Sequence, residues 1–201
     1  LTPFLKAGDL IIDGGNSHHR DTERRLQDLE TMNIDYLGAG ISGGPDGARQ
    51  GPAIMIGGTG YKKVSDLLCS ISAQDKSEKP CCDYIGAGGA GHYVKMVHNG
   101  IEYAEMQLLA EVYQLLQNFC QVEPQEIAGI FNTWSETDLD SYLLRITAEI
   151  LAQKDGDEPF IDKVLDKAGQ KGTGSWSVTS AMGLGVPSST ISEALMARYL
   201  S

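Results

Sequence analysis

The sequence has little positive charge. It contains 16 Lys and Arg residues against 27 Asp and Glu residues, which gives a net charge of −11. This balance argues against nucleic acid or an anionic membrane as a main partner, because both carry negative charge. It does not exclude an anionic small molecule, since a few basic side chains that converge in one cleft decide local binding.

Cysteine is also scarce, and its spacing is unsuited to metal binding. The four cysteines, Cys69, Cys81, Cys82 and Cys120, form neither a CxxC pair nor a Cys/His ligand pattern. The adjacent Cys81 and Cys82 point to opposite sides of a strand. We therefore predict buried thiols in a reducing compartment, hence a cytoplasmic protein with no metal and no disulfide framework.

The sequence lacks a signal peptide, an initial Met and any apolar run long enough to span a bilayer. Its apolar fraction of 41% is ordinary for a globular protein, and 201 residues suffice for one large domain or two small ones. The chain enters a strand soon after Leu1 and ends in a helical pattern at Ser201. We expect a piece of a longer protein.

Short apolar runs alternate with helical patterns in the first part of the chain. The predicted strands are residues 9–13, 34–37, 53–56 and 82–85, and the predicted helices between them are residues 18–32 and 61–73. This alternation predicts an α/β layer with a largely parallel sheet. Ligands of such sheets lie at the carboxyl ends of the strands, which places Asn16 and residues 42–44 in the candidate cleft.

From residue 89 onward the pattern is helical. Helical periodicity covers residues 90–111, 124–132, 139–151 and 161–168, a short helix follows GQKGTG, and a last helix begins near residue 190. We also expect a helix cap at residues 135–137, a polar loop at residues 154–159 and a helix stop at Gly169. The fold class is α/β followed by all-α, with the domain boundary near residue 88.

The helix predicted at residues 90–111 has two different faces. One face carries Lys95, His98, Asn99 and Glu102, at spacing i, i+3, i+4 and i+7. The opposite face carries Val94, Val97, Ile101, Ala104 and Leu108, and we expect it to bury the helix. An amine, an amide and a carboxyl in one line suit proton transfer, but spacing alone favours a surface Lys–Glu pair. The other histidines, His18, His19 and His92, carry no signal of their own.

Two stretches match the dinucleotide-binding pattern GxGxxG. They are Gly38-Gly40-Gly43 and Gly86-Gly88-Gly91. The ribose-binding acid expected about 20 residues later is missing in both cases, so we interpret both as tight turns. Gly14-Gly15-Asn16-Ser17 and Ser42-Gly43-Gly44 are either backbone donors to a ligand or ordinary turns. Lys171 and Arg198 are either anion-binding groups or solvated surface residues.

Five long motifs resemble the 6-phosphogluconate dehydrogenase family in the same order. They are LIIDGGNSHHRDTERR, ISGGPDGARQGPAIMIGG, EKPCCDYIGAGGAGHYVKMVHNGIEY, KGTGSW and SEALMARYLS. The resemblance implies that residues 1–88 are the C-terminal part of a Rossmann-like coenzyme domain. It implies that residues 89–201 begin a helical substrate and dimerisation domain. The family's coenzyme GxGxxG unit would lie upstream of Leu1, and its remaining helices and tail beyond Ser201.

The resemblance also implies an activity. The family oxidatively decarboxylates 6-phosphogluconate to ribulose 5-phosphate and CO2, with NADP as hydride acceptor and no metal. By similarity, Lys95 acts as the base near C3 of the substrate. Glu102 delivers a proton to C1 of the enediol that remains after CO2 is lost. Seven residues of helix separate them by about 10 Å, so the two groups can reach different carbons of the substrate.

The remaining site residues follow from the same resemblance. The residues that match the family's contacts to the carboxylate and hydroxyls of the substrate are Asn16, Ser42, Gly43, Gly44, His98 and Asn99. Asn16 also matches a contact to the coenzyme. Contacts to the phosphate fall to Tyr103, Lys171 and Arg198, with Thr173 as a weaker candidate. The family forms a homodimer in which a tail of the partner subunit completes the phosphate site. We therefore expect negligible turnover by the isolated residues 1–201.

Two other functions stay open. A β-hydroxyacid dehydrogenase with a smaller substrate would also use a lysine on this helix, but it needs neither a phosphate site nor a second acid. A catalytically dead homologue could bind sugar phosphates or serve as a dimerisation module. The intact pair of Lys95 and Glu102 argues against such a module.

Overall fold

The computed structural model describes residues 2–201. Its strands are β1 (Leu10–Asp13), β2 (Asp35–Ser42), β3 (Ala53–Gly58), β4 (Cys82–Gly86), β5 (Lys154–Asp155) and β6 (Glu158–Pro159). Its α-helices are α1 (His19–Glu30), α2 (Gly44–Gln50), α3 (Ser65–Ile71), α4 (Ala90–Gln114), α5 (Pro124–Trp134), α6 (Tyr142–Ala152), α7 (Thr173–Leu184) and α8 (Ser189–Leu200). The predicted order, α/β followed by helices, is confirmed.

These elements form two compact units. The first comprises the chain up to Asn99 together with Gly172–Ser180, and the second comprises Gly100–Lys171 together with Ala181–Ser201. Among the helices described, none has both the length and the apolar character that crossing a membrane requires.

The sheet of the first unit has the strand order β1-β2-β3-β4. The pairs β1/β2 and β3/β4 are parallel, as predicted, but β2 and β3 are antiparallel. The prediction of a largely parallel sheet is therefore wrong at its centre. Residues 43–52, which connect β2 to β3, are fewer than the roughly dozen residues that a parallel crossover needs. Because β1 and β2 are parallel, Asn16 and Ser42 still lie at the same edge of the sheet.

Two glycines that were predicted to form a tight turn instead lie inside β2. A Cβ atom on Gly40 would lie 2.4 Å from Cβ of Lys95, and one on Gly38 would lie 2.7 Å from Cγ2 of Thr22. Glycine is needed here because α4 and α1 approach the strand closely. The second GxGxxG stretch does form a turn, with Gly88 at φ +61° between β4 and α4.

The core of the first unit lies between the sheet and its helices. Its buried apolar residues are Leu37, Ala39, Ile54, Ile56, Leu68 and Cys82. Every cysteine is a free thiol. The prediction of buried cysteines is confirmed for Cys82, whereas Cys69 and Cys81 are half-buried. It is wrong for Cys120, which is exposed at the end of the π-helical turn Leu115–Phe119 after α4.

The second unit is built around the packing of α5 on α6. Its buried core consists of Ile127, Ala128, Phe131, Leu144, Ala148 and Leu151. Ser141 caps α6, because its hydroxyl accepts a hydrogen bond from the Leu144 N–H at 3.0 Å, so the cap predicted at residues 135–137 is wrong. The predicted polar loop at residues 154–159 forms the short β5/β6 hairpin.

The helix predicted at residues 161–168 is also wrong. Only a 3₁₀ turn, Phe160–Lys163, forms, and residues 164–171 are not helical. Ile161 packs against the core of the second unit, but Val164 and Leu165 are 48% and 78% exposed, so the four apolar residues form no continuous buried face. A short helix without such packing is unstable in water.

The apolar face predicted to bury α4 is only partly buried: Ala104 is buried and Val97 half-buried, but its other three residues are exposed. Val94, Ile101 and Leu108 are 36%, 57% and 52% exposed, whereas Lys95 and Met96 are 7% and 2% exposed. In the first unit, the glycines of β2 let the side of α4 that carries Lys95 lie against the sheet. Steric access to the strand therefore decides which face of the helix is buried there.

Candidate active site

The first unit places the amine of Lys95 against the amide of Asn16. Lys95 is 7% exposed, and its Nζ donates a hydrogen bond to Oδ1 of Asn16 at 2.5 Å. The stem of the lysine lies over Gly40 of β2. The predicted base is thus held at the edge of the sheet where β1 ends.

A single carboxylate organises the loop that carries Asn16. Oδ2 of Asp13 accepts hydrogen bonds from the hydroxyls of Tyr36 at 2.7 Å and Ser17 at 2.8 Å, and from Arg25 at 3.0 Å. Burial acts to raise the pKa of Asp13, but the hydrogen bonds from Tyr36 and Ser17 outweigh it and hold that pKa below its usual value. Burial and the neighbouring carboxylate raise the pKa of Tyr36 to about 12. Asp13 is therefore a charged centre of this loop at neutral pH.

His92 joins this loop to two helices. It is 2% exposed, and its Nε2 lies 3.1 Å from the carbonyl oxygen of Asp13 while its Nδ1 lies 2.7 Å from Oγ1 of Thr22. Burial lowers the pKa of His92, which favours the neutral ring at pH 7. No role was predicted for His92 from the sequence. The signal was its position three residues before Lys95, which puts both side chains on one face of the helix.

Asn99 lies next to the loop that precedes α7. Its Nδ2 donates a hydrogen bond to Oγ1 of Thr173 at 3.2 Å, and Thr173 is 6% exposed. One turn further along α7, the hydroxyl of Ser177 donates to the carbonyl oxygen of Met96 at 2.7 Å. His98 is half-buried on the same helix. The structure thus brings Asn99 together with Thr173, the weaker of the predicted phosphate contacts.

The second predicted loop follows β2 directly. Ser42 is half-buried, and Gly43 and Gly44 are exposed with φ +135° and φ +59°. Both values belong to backbone that favours glycine. Because Ser42 and Gly40 are two residues apart on one strand, they share a face of the sheet. This loop therefore follows the strand on which Lys95 lies.

Glu102 and the three main phosphate residues predicted from the resemblance, Tyr103, Lys171 and Arg198, belong to the second unit. The guanidinium of Arg198 lies 3.8 Å from the centroid of the Tyr103 ring, and its Nη1 donates a hydrogen bond to the carbonyl oxygen of Gly169 at 2.6 Å. Glu102, which directly precedes Tyr103 on α4, is half-buried, and Lys171 is exposed. The structure brings Tyr103 and Arg198 together, and it attaches Arg198 to the segment that carries Lys171.

No cluster of three or more His, Cys, Asp and Glu side chains suited to a metal ion exists within residues 2–201. The first unit offers an exposed amide at the end of β1, Asn16, next to a buried amine. This pair fits a polar organic ligand at the edge of the sheet. The second unit offers an arginine stacked on an aromatic ring, which fits an anion.

Two family models match the chain. The NAD binding domain of 6-phosphogluconate dehydrogenase matches residues 1–86. The 6-phosphogluconate dehydrogenase C-terminal domain matches residues 91–201, which is more than half of the chain. The Rossmann-like first part and the helical second part predicted from the resemblance are therefore confirmed as a fold class.

The chain is also similar to complete proteins. It is 56% identical over 205 residues to a decarboxylating 6-phosphogluconate dehydrogenase of Bacillus licheniformis, and 55% identical over 205 residues to an NAD(+)-dependent, decarboxylating one of Bacillus subtilis (strain 168). Both matches cover 100% of this chain and 44% of the relative, so the chain spans less than half of their length.

A solved structure of Plasmodium falciparum 6-phosphogluconate dehydrogenase matches with a TM-score of 0.94 and 43% identity. The match covers 99% of this chain and 43% of that one. That enzyme was solved in its apo form, with its cofactor NADP+ and with its substrate 6-phosphogluconate. Together with the match to the C-terminal domain over residues 91–201, this shows that the chain belongs to the 6-phosphogluconate dehydrogenase family.

Proposed function

We propose that the protein that contains this chain oxidatively decarboxylates 6-phosphogluconate to ribulose 5-phosphate and CO2. The observation that carries the proposal is the amine of Lys95, which is 7% exposed and held by Asn16 at the edge of the sheet. A base needs an uncharged amine, and the limited access of water to this site suits that role. The names of the relatives and of the Plasmodium falciparum structure support the same reaction.

The residues of this chain divide the proton transfers between them. A nicotinamide coenzyme, when bound, supplies the hydride acceptor. Lys95 takes the proton of the C3 hydroxyl as C3 is oxidised to a ketone. The β-keto acid then loses CO2, because the new carbonyl accepts the electron pair of the broken C–C bond. Glu102 gives a proton to C1 of the resulting enediol, which becomes the ketone product.

The other predicted site residues bind and orient the substrate. We assign contacts with its carboxylate and hydroxyls to Asn16, Ser42, Gly43, Gly44, His98 and Asn99. We assign its phosphate to Tyr103, Lys171 and Arg198. The stacking of Arg198 on Tyr103 supports the second assignment, because the ring holds the guanidinium in place while its remaining N–H groups can meet phosphate oxygens.

We also propose NADP as the coenzyme, with Asn16 among its contacts. The Plasmodium falciparum structure supports NADP, whereas the Bacillus subtilis relative is NAD(+)-dependent. We further propose a cytoplasmic homodimer in which a tail of the partner subunit completes the phosphate site. The domain boundary stays a proposal near residue 88, supported by family matches that end at residue 86 and begin at residue 91.

The test uses a full-length protein that carries this chain. It is either the natural protein or the Bacillus licheniformis relative with residues 1–201 in place of its matching segment. Reduced coenzyme and released CO2 are measured with 6-phosphogluconate and either NADP or NAD. We expect equal amounts of both products and faster turnover with NADP. No turnover, or a preference for a hydroxy acid without phosphate, would contradict the proposed reaction.

The Lys95→Met variant tests the base directly. It keeps the length of the stem but removes the amine, so we expect turnover to fall by about 10³-fold while 6-phosphogluconate still binds. Lys76→Met is the matched control, because Lys76 is exposed and the same charge is lost. Near-normal turnover of Lys95→Met would remove Lys95 from this role. The isolated residues 1–201 are expected to show negligible turnover.

A further inference from the structure

We propose that Asp13, Thr22 and His92 form a buried histidine clamp that sets the position of Asn16 against Lys95. In this proposal the three residues act through Lys95 and do not touch the substrate, so they are positioning residues. The kinetic part rests on the proposed function. The structural part does not.

The first step is the place of His92 between the helix and the loop. It precedes Lys95 by three residues on α4, and its Nε2 lies 3.1 Å from the carbonyl oxygen of Asp13. Asp13 is the last residue of β1 and comes three residues before Asn16. One hydrogen bond therefore joins the helix of the base to the loop of its amide partner.

The second step is the proton on the ring. A carbonyl oxygen only accepts, so Nε2 of His92 must carry the hydrogen in this contact. In the neutral ring Nδ1 is then an acceptor, and the hydroxyl of Thr22, 2.7 Å away, donates to it. Thr22 is fully buried on α1, so the clamp joins three elements and fixes one tautomer of the ring.

The third step is the lack of space around the ring. A Cβ atom on Gly38 would lie 2.7 Å from Cγ2 of Thr22 and 2.8 Å from Nδ1 of His92. The pair therefore lies directly on β2, as Lys95 does two residues along the strand at Gly40. Packing against Gly38 and one hydrogen bond at each ring nitrogen therefore hold His92 in place.

The fourth step is what the clamp does for Asn16. The loop contains Gly14 and Gly15, which favour many backbone conformations in isolation. The side-chain carboxylate of Asp13 accepts hydrogen bonds from Tyr36 and Ser17, which fixes the start of this loop. The backbone carbonyl of Asp13 contacts His92, which joins the loop to α4. Loosening the ring frees the loop from the helix, and the contact between Asn16 and Lys95 becomes longer or less populated.

The experiment compares two substitutions of Thr22 in the full-length protein. Thr22→Val keeps nearly the same shape but removes the hydroxyl, whereas Thr22→Ser keeps the hydroxyl. We expect Thr22→Val to lower kcat by about tenfold, because small displacements of a catalytic group are costly. The Kd for 6-phosphogluconate, measured by calorimetry, should rise by a smaller factor than kcat falls, because Thr22 reaches the substrate only through Asn16, one of several residues assigned to its binding. Thr22→Ser should stay close to the unsubstituted protein.

A second measurement does not depend on catalysis. The acylation rate of Lys95 relative to that of the exposed Lys76 is measured by mass spectrometry of peptides. We expect Thr22→Val to change this ratio by about threefold or more and Thr22→Ser to leave it unchanged. Nitrogen NMR of the unsubstituted protein should show His92 protonated at Nε2 and not at Nδ1.

The outcomes separate the two proposals. If the unsubstituted protein does not turn over 6-phosphogluconate, the proposed function fails, and the acylation ratio and the tautomer still test the clamp. Equal effects of Thr22→Val and Thr22→Ser, or an unchanged acylation ratio, would overturn the clamp. So would a His92 ring that is protonated at Nδ1 at neutral pH, which decides the matter even if Thr22→Val does not fold.

Discussion

Lys95 and Arg198 are both cations predicted from the sequence to meet the substrate, but their surroundings differ. Lys95 is buried against β2 at Gly40, where the strand has no side chain, and its amine donates a hydrogen bond to Asn16. Arg198 is half-buried and stacks on a Tyr103 ring that is itself half-buried. Its Nη1 donates a hydrogen bond to the carbonyl oxygen of Gly169. Lys95 therefore lies against a strand of the sheet, whereas Arg198 is held by helix α4 and by the irregular segment that contains Gly169.

The difference matches two kinds of task. A base must stay within hydrogen-bonding distance of one proton, so a position set by the sheet serves it. An arginine that binds phosphate needs its charge and its fork of donors, and it tolerates small displacements because phosphate offers several oxygens. The surroundings of Lys95 should therefore tolerate less change than those of Arg198.

The largest expected effect is that of Gly40→Ala. The new Cβ would lie 2.4 Å from Cβ of Lys95 and 2.7 Å from the carbonyl oxygen of Gly91, so α4 must move away from the strand. We expect a loss of about 3 kcal/mol in the free energy of unfolding, measured by urea denaturation. Gly129→Ala is the control, because no atom lies within 4 Å of the Cβ it adds. Equal stability of the two variants would show that α4 is not held against β2 as described.

The next effect is that of Arg198→Lys. The charge remains, but the planar fork and its stacking on Tyr103 are lost. We expect KM for 6-phosphogluconate to rise about tenfold with little change in kcat, because the role proposed for this group is to bind phosphate and not to transfer protons. Steady-state kinetics of the full-length protein measure both constants, and Arg145→Lys controls for the exchange at another partly exposed arginine. A fall in kcat with an unchanged KM would contradict the binding role.

The smallest effect concerns Asp13 and pH. Its pKa is lowered in the folded protein, so its hydrogen bonds contribute stability above the unfolded pKa near 4, and this contribution is lost as pH falls through the folded pKa. Asp13→Asn should therefore cost about 1 kcal/mol at pH 7 and progressively less below pH 4. Urea denaturation across this range measures the difference. Asp28→Asn, on the exposed side of α1, controls for the lost charge, and a constant cost of Asp13→Asn at all pH values would refute the assignment.

Much of the fold follows from periodicity in the sequence. The strands and most helices lie where alternating and helical patterns predict them, because those patterns record which face is buried. The antiparallel pairing of β2 and β3 could also have been predicted from the sequence, since the connection at residues 43–52 is too short for a parallel crossover. The helix predicted at residues 161–168 failed because, of its apolar residues, Ile161 packs against a core while Val164, Leu165 and Ala168 are exposed.

The surroundings of the candidate site were harder to predict. The polar stripe of α4 was visible, but its burial was not, because spacing does not show which face meets the sheet. Gly38 and Gly40 matched a turn pattern, and their use as strand positions follows only from the close approach of α1 and α4. The clamp joins Asp13, Thr22 and His92 across long stretches of sequence, so no local pattern connects them.

The bare surface of β2 limits how this chemistry can be transferred to other proteins. A designer who copies the polar face of α4 onto another helix obtains the order of Lys95, Asn99 and Glu102 but not the surroundings of the amine. A strand with ordinary side chains would hold the helix farther from the sheet, because facing layers are normally separated by those side chains. The unit to graft is therefore helix α4 together with Gly38 and Gly40, with the receiving strand chosen before the polar side chains of the helix.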